Sequence, residues 1–144
     1  MKKLSGQCMC GAVSVNLAAA SNHLRACHCD MCRRWTGSAF MTIHADGGTL
    51  TYEGPVKTFA SSDWAERTWC DSCGSTLWYR LTIPDREMYG VSAGLFENAA
   101  GLKLENESYI DKKPDGFSYA GDHDRITEAQ VKDIIAAFMA GEKE

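Results

Sequence analysis

Seven cysteines fall into three tight groups, and their spacing constrains this chain more than any other feature of its sequence. In chain order the groups are Cys8 and Cys10, then Cys27, Cys29 and Cys32, then Cys70 and Cys73. Cysteines separated by one or two residues can direct their sulfurs to one point, as a thiophilic metal requires. An odd number of cysteines at such short spacings disfavours a disulfide framework. We therefore interpret the chain as a zinc protein.

Length, charge and hydropathy restrict the class of protein. A chain of 144 residues without repeats or linkers predicts a single zinc-binding domain over residues 1–144. A net charge of -4 argues against a nucleic-acid partner. No apolar run reaches the roughly 20 residues of a membrane span, and no apolar segment of a signal peptide follows the first lysines. Because clustered thiols stay reduced in the cytoplasm, we predict a cytoplasmic protein.

Hydrophobic alternation predicts a mainly β fold of about seven short strands. The predicted strands cover residues 13–17, 39–43, 49–53, 56–59, 76–81, 87–93 and part of 102–110. The small residues at 18–22 predict a loop or an ill-defined strand end, and residues 94–101 are loop-like. Gly11 and Gly74 each follow a cysteine pair, where a tight turn suits a residue without Cβ.

One helix is predicted, at about residues 127–140. Thr127 and Gln130 have the spacing of a capping box, and Gly141 marks the end of the helix. Apolar residues at helical spacing form one stripe, which we expect to dock against the sheet. The stripe consists of Val131, Ile134, Ile135 and Phe138. The predicted core lies at about residues 5–110, with the helix added after it.

Seven thiolates divide naturally into a closed site of four and an open site of three, the usual numbers for structural and catalytic zinc. Cys8, Cys10, Cys70 and Cys73 would form the closed structural site. Cys27, Cys29 and Cys32 would form a second zinc site, and a side chain could still close it. The candidates for a fourth ligand are His28, His44, His123 and Asp30. His28 lies between two ligands, so its side chain is expected to point away from the metal, and His123 is expected to be an ordinary loop or surface residue.

An open zinc site with three thiolates suits carbon–sulfur chemistry. Zinc with this much negative charge is a poor Lewis acid, but it accepts a further thiol, which it deprotonates. The thiolate is the nucleophile of sulfur chemistry. Arg33 and Arg34 could bind the carboxylates of a thiol cosubstrate, although exposed arginines are usually only solvated. Trp35 and Phe40 could line a pocket, although aromatic residues at such positions usually belong to the core.

Three segments resemble the glutathione-dependent formaldehyde-activating enzyme family, also called the centromere protein V family. They are Gly6–Val13, Cys27–Arg33 and Cys70–Ser75, in that order. The resemblance covers roughly residues 5–110. It implies a zinc-bound β-tent of stacked antiparallel sheets. It also implies a structural zinc on Cys8, Cys10, Cys70 and Cys73, a catalytic zinc on Cys27, Cys29 and Cys32, and glutathione as cosubstrate.

The leading interpretation is a zinc-dependent carbon–sulfur lyase that acts on a glutathione adduct of a small electrophile. The resemblance makes formaldehyde the model electrophile. The alternative is a non-catalytic, zinc-stabilised protein-binding module in which both zinc ions are structural. A third interpretation, a thiol redox protein that uses Cys70 and Cys73, would need this pair at a helix N-terminus. The strand pattern after Gly74 argues against it.

Overall fold

The structure, a computed structural model, describes residues 2–141. These residues are mainly β, and the predicted C-terminal helix is present, which confirms the predicted fold class. The strands are β1 (Lys3–Gln7), β2 (Ser14–Cys27), β3 (Phe40–Asp46), β4 (Thr51–Glu53), β5 (Val56–Ser62), β6 (Ala65–Cys70), β7 (Thr76–Leu81), β8 (Met88–Ser92), β9 (Lys103–Ser108) and β10 (Asp124–Ile126). The α-helices are α1 (Asp30–Thr36) and α2 (Glu128–Met139), and short 3-10 helices cover Ala93–Leu95, Glu97–Gly101 and Ile110–Lys112.

The described residues form two compact units. The first contains the chain up to Leu24 together with Met41–Lys103, and the second contains Arg25–Phe40 together with the chain from Leu104 onward. Each unit holds one group of converging cysteines. That both units fold as one domain remains a prediction. Neither α-helix found within residues 2–141 combines the length and the apolar composition needed to cross a bilayer.

Most strands of the first unit follow one another in the order β2, β3, β8, β7, β6, β5, and both β1 and β4 pair with β2. Six strand pairs are antiparallel: β1–β2, β2–β4, β3–β8, β5–β6, β6–β7 and β7–β8. Alternate residues of the strands face a core of buried side chains. The largest members of this core are Trp78 and Phe96, and its largest completely buried apolar members are Val13, Val15, Ile43, Leu77 and Val91.

The second unit contains β9, β10 and both α-helices. β10 pairs with β9 in parallel, which departs from the expected purely antiparallel arrangement. Thr127 caps α2, and Gln130 completes the predicted capping box. The backbone N–H of Glu128 also donates to the Asp111 carboxylate at 2.9 Å. These contacts satisfy N–H groups that have no partner within the helix.

The apolar stripe of α2 does not dock as expected. Ile134 is 57% exposed and Ile135 is 49% exposed. No residue of α2 is fully buried. The helix is therefore stabilised by its N-terminal cap as well as by its partly buried residues Val131 and Phe138.

Strand β2 is longer than predicted. The residues at 18–22 were expected to form a loop or an ill-defined strand end, since alanine and asparagine are poor strand formers. They continue the strand, and pairing with β1 supports the first of them, with Lys3 opposite Ala18. The N–H of Ala19 donates to the Lys2 carbonyl at 2.8 Å. Backbone pairing thus outweighs the low strand propensity.

Gly54, which follows β4, has a backbone that only glycine tolerates easily. Its φ is +115°, and a Cβ atom there would lie 2.1 Å from the Ala12 carbonyl oxygen. We expect Gly54→Ala to lower the free energy of unfolding by about 3 kcal/mol, because it adds a backbone clash to a strained φ. The midpoint of urea denaturation at constant metal content measures this loss.

Gly48 provides the matched control for Gly54, since a Cβ there meets no atom within 4 Å. Gly48→Ala should change stability by less than about 1 kcal/mol. Equal midpoints for the two variants would show that the close approach of Gly54 to Ala12 has no energetic weight.

Candidate metal centres

Four cysteines of the first unit, called here the four-cysteine cluster, converge as the sequence predicts. They are Cys8, Cys10, Cys70 and Cys73, and their sulfurs all lie within 4.8 Å of one another. The Cys8 sulfur lies 3.7 Å from those of Cys10 and Cys70, and the Cys10 and Cys70 sulfurs are 3.9 Å apart. Sulfurs about 2.3 Å from a tetrahedral zinc would be about 3.8 Å apart. The separations therefore fit a tetrahedral metal, and all seven cysteines are free thiols.

Two similar turns aim these sulfurs. After Cys8 the N–H of Gly11 donates to the Cys8 carbonyl at 3.1 Å, and after Cys70 the N–H of Gly74 donates to the Cys70 carbonyl at 2.9 Å. Both glycines have positive φ, +81° and +79°, as expected for these turns. The Cys73 N–H donates to the Cys70 sulfur at 3.4 Å, which favours its thiolate.

The second turn joins β6 to β7. The pair Cys70 and Cys73 therefore lies between two strands and not at a helix N-terminus. The interpretation as a thiol redox protein required the pair at a helix N-terminus, so the structure does not support it.

The thiols of the four-cysteine cluster ionise unequally. A hydrogen bond from the Ser75 hydroxyl, 3.1 Å from the Cys73 sulfur, lowers the pKa of Cys73 to about 5. A backbone hydrogen bond at Ala12 favours the Cys10 thiolate, but partial desolvation and the Cys73 sulfur outweigh it and raise the pKa of Cys10 to about 11. One thiolate thus hinders the ionisation of its neighbour, and a bound cation would relieve the conflict.

Three cysteines of the second unit form the three-cysteine cluster, Cys27, Cys29 and Cys32, whose sulfurs also lie within 4.8 Å of one another. Cys27 ends β2, and Cys29 caps α1 by accepting a hydrogen bond from the Cys32 N–H at 3.4 Å. Helix α1 was not predicted. It places Cys32 one turn away from Cys29, so that the three sulfurs meet on one side of a short segment.

The proposed fourth ligands do not join this cluster. Among the residues the structure describes, the group that could hold a metal here contains the three cysteines alone. His28 and His123 contact Glu107, and Asp30 forms an ion pair with Arg33. His44 is not part of this group either. The three-cysteine cluster therefore offers three sulfur ligands.

The three-cysteine cluster resists ionisation. Hydrogen bonding to Cys29 raises the pKa of Cys27, although its contact with Cys32 acts in the opposite direction. Hydrogen bonds with Cys27 and Cys29, and then burial, raise the pKa of Cys32 far above its ordinary value. In the absence of a cation, Cys27 and Cys32 are therefore protonated at neutral pH.

Tyr109 is a site residue that sequence reasoning missed. It directly follows β9 and has a left-handed backbone, with φ 57° and ψ 44°, which is unusual for a bulky residue. Burial raises the pKa of its phenol, and the charges of Cys29 and Cys27 raise it further. The phenol is thus close enough to the cluster to respond to its charge. No local sequence signal predicts this conformation.

A buried network behind the three-cysteine cluster was also missed. The Glu107 carboxylate accepts hydrogen bonds from His28 Nε2 at 2.7 Å and from His123 Nε2 at 2.5 Å. The side chains of all three residues are at most 2% exposed. His123 lies in a loop, as expected, but its side chain is buried and contacts Glu107, so it is not an ordinary loop residue. The side chain of His28 also contacts Glu107 and is not part of the metal-ligand group, in agreement with the expectation that it points away from a metal.

The arginines and aromatic residues near α1 are partly engaged. Arg33 donates to the carboxylate of Asp30 and, through Nε, to the His28 carbonyl at 3.1 Å. Arg34 is largely exposed, and its guanidinium lies 4.0 Å from the Asp30 carboxylate. The rings of Trp35 and Phe40 meet edge to face at a centroid distance of 5.1 Å. Of the two arginines, Arg34 is the more accessible to a ligand.

The chain is similar to known proteins in sequence and in fold. A family model described as glutathione-dependent formaldehyde-activating enzyme matches residues 3–112. A protein of Schizosaccharomyces pombe described as an uncharacterized lyase is 31% identical over 136 residues, which are 94% of this chain and 98% of that protein. A crystal structure of a Rhodobacter sphaeroides protein aligns with a TM-score of 0.57 and 19% identity, and the alignment covers 85% of this chain and 99% of that one. That likeness shows the fold alone.

The family match covers well over half of the chain, and the yeast relative is similar along nearly its whole length. Both relationships support an enzyme of the lyase class. The chain belongs to the glutathione-dependent formaldehyde-activating enzyme family.

Proposed function

We propose that this chain is a zinc-dependent carbon–sulfur lyase that acts on the adduct of glutathione with a small electrophile such as formaldehyde. The observation that carries the proposal is the unequal number of sulfurs in the two clusters, four in one and three in the other. Family membership and the lyase relative support the reaction class. Because all seven cysteines are free thiols, we place the protein in a reducing compartment, the cytoplasm.

The residues present fit two zinc ions per chain. Thiolates are soft donors that zinc binds readily, and the sulfur separations of the four-cysteine cluster suit a closed tetrahedron. Cys8, Cys10, Cys70 and Cys73 would hold the structural ion. Cys27, Cys29 and Cys32 would hold the second, and the raised pKa values of Cys27 and Cys32 mean that a cation must accompany their ionisation.

The open position determines the chemistry. Zinc bound by three thiolates would hold an incoming thiol as its thiolate, which is the nucleophilic form. In the direction of addition, the substrate sulfur forms a bond to the carbonyl carbon, the π electron pair moves to the oxygen, and the oxygen takes up a proton. The lyase direction reverses these changes. Neither direction needs an oxidant or a reductant.

Tyr109 is the candidate for the hydrogen bond to that oxygen. Burial raises the pKa of its phenol, so the phenol is protonated at neutral pH and can donate. Its left-handed backbone is a strained conformation of the kind that clusters at functional sites.

The second candidate function is a non-catalytic, zinc-stabilised protein-binding module. The exposure of Ile134, Ile135 and Met139 on α2 favours it, because exposed apolar side chains on one helix suit a protein partner. In this alternative the three-cysteine cluster would have no reaction with thiols.

The structural role of the four-cysteine cluster can be tested with Cys70→Ser. Closed zinc sites contribute about 10–16 kcal/mol of apparent binding energy, which is more than the stability of a typical domain. We expect this variant to lose soluble expression or cooperative unfolding, whereas Ser72→Ala, an exposed change in the same turn, should retain both. A soluble Cys70→Ser protein with a normal melting curve would contradict the assignment.

Zinc binding to the three-cysteine cluster should release protons. Because the pKa values of Cys27 and Cys32 are raised, both thiols are protonated at pH 7 and must lose their protons to bind the ion. With the four-cysteine cluster already filled, calorimetry in buffers of different ionisation enthalpy should count at least about two protons per ion, from Cys27 and Cys32. The affinity should fall at least about 100-fold when the pH is lowered by one unit. Binding without proton release would show that these thiols are not the ligands.

Glutathione should change the absorption spectrum of cobalt placed at the three-cysteine cluster, because its thiol would occupy the open position. S-methylglutathione, which has no thiol, is the matched control and should leave the spectrum unchanged. If both cobalt sites are filled and millimolar glutathione has no effect, the protein-binding module becomes the better account.

A further inference from the structure

We propose that the buried network of His28, Glu107 and His123 is a positioning device for the three-cysteine cluster, which holds the loop of Cys27 and Cys29 in its metal-binding geometry. The inference rests on the proposed function only in requiring that this cluster binds a metal. It assigns a role to three residues that are not themselves ligands of the cluster.

His28 anchors the loop at its central residue. Its backbone N–H donates to the Ser108 carbonyl at 3.0 Å, and its ring donates to Glu107 at 2.7 Å. Two successive residues of β9 therefore hold the backbone and the side chain of one loop residue. On the other side, the His28 carbonyl accepts a hydrogen bond from Arg33 of α1 at 3.1 Å. Since His28 lies between two of the cysteines, these three contacts fix where both sulfurs point.

The ring of His28 is also restrained. It is fully buried, and the rings of Phe117 and Tyr119 lie 6.4 and 6.0 Å from it between centroids. Because the Glu107 carboxylate can only accept, Nε2 carries a proton and donates it to this carboxylate. The other nitrogen, Nδ1, is buried and has no hydrogen-bond partner among residues 2–141. The carboxylate thus fixes the orientation of this ring.

Glu107 is a costly residue to bury, which argues that it has a role. It is 1% exposed, and burial alone would raise its pKa. Hydrogen bonds from His123 and His28 outweigh burial and lower the pKa, so the carboxylate stays ionised. Arg125 adds a second positive group, with Nε 3.5 Å from the carboxylate. A buried, well-paired charge of this kind gives directional contacts that an apolar residue could not provide.

A metal site with only three protein ligands binds its ion more tightly when these ligands are already held in place. It has one protein–metal bond fewer than a closed site, and its ligands lie on a short connecting segment that would otherwise be free to move. A loop already held in the bound geometry loses less conformational entropy when the ion binds. The network would therefore allow tight binding while the fourth position stays open.

Glu107→Gln tests this role. The substitution keeps the size of the side chain but removes the charge and one of the two acceptor oxygens. We expect the affinity of the three-cysteine cluster for cobalt or zinc to fall about 10–100-fold, as for other residues that orient metal ligands. The cobalt spectrum of this cluster should shift, while the spectrum and affinity of the four-cysteine cluster stay unchanged. Because Glu107 and the three-cysteine cluster lie in the same unit, the melting temperature of the metal-free variant should also match the wild type, which separates positioning from a loss of stability of this unit.

Glu105→Gln is the matched control. It makes the same change two residues earlier on β9, in a partly exposed ion pair with Arg25. This control should bind metal like the wild type at both clusters. If Glu107→Gln also matches the wild type in affinity and spectrum, the positioning role is overturned.

Two further outcomes are decisive. If Glu107→Gln does not fold, His123→Gln removes only the outer contact, and a smaller loss of affinity at the same cluster is expected, whereas wild-type binding would overturn the inference. If the wild type binds no second ion, the proposed function fails and this inference fails with it. If the wild type binds two ions and the Glu107 variant does too, with equal affinity, only the inference fails.

Discussion

Thiolates brought within a few ångströms of one another repel, and this repulsion governs both cysteine clusters. The pKa values of Cys10, Cys27 and Cys32 are raised because hydrogen bonds to neighbouring sulfurs, together with burial, keep the proton on each thiol. The charges of nearby thiolates raise the pKa values of Cys27 and Cys32 further. A divalent cation removes the conflict and turns mutually repelling groups into ligands of one centre. The geometry of both clusters is therefore best understood as that of a metalloprotein.

The two clusters connect the chain in different ways, although each lies within one compact unit. The four-cysteine cluster joins segments 62 residues apart, so an ion there acts as a crosslink. The three-cysteine cluster lies within the short segment from Cys27 to Cys32, which brings no distant parts of the chain together. An ion there would contribute less to long-range order and would be better suited to exchange ligands. The proposed function therefore assigns stability and reactivity to separate centres.

Features with a local physical cause could be predicted from the sequence. Cysteine spacing predicted which sulfurs meet, and Gly11 and Gly74 predicted the turns that aim them, because a positive φ suits glycine. The Thr127 cap of α2 was equally visible as a capping box. Features that depend on distant partners could not be predicted. Glu107 meets His28 across 79 residues, and Ala18, where β2 runs on beyond its predicted end, pairs with Lys3 of β1. Helix α1 begins at a cysteine cap, which propensities do not favour.

Zinc K-edge X-ray absorption of the purified protein, with its zinc content measured on the same sample, tests the central claim most directly. The account predicts two zinc ions per chain, bound by sulfur at about 2.3 Å, with one light atom completing the coordination of only one of them. A single zinc ion per chain would contradict the account. So would a second ion whose coordination is completed by a histidine of the protein, because the position available to an incoming thiol would then be filled.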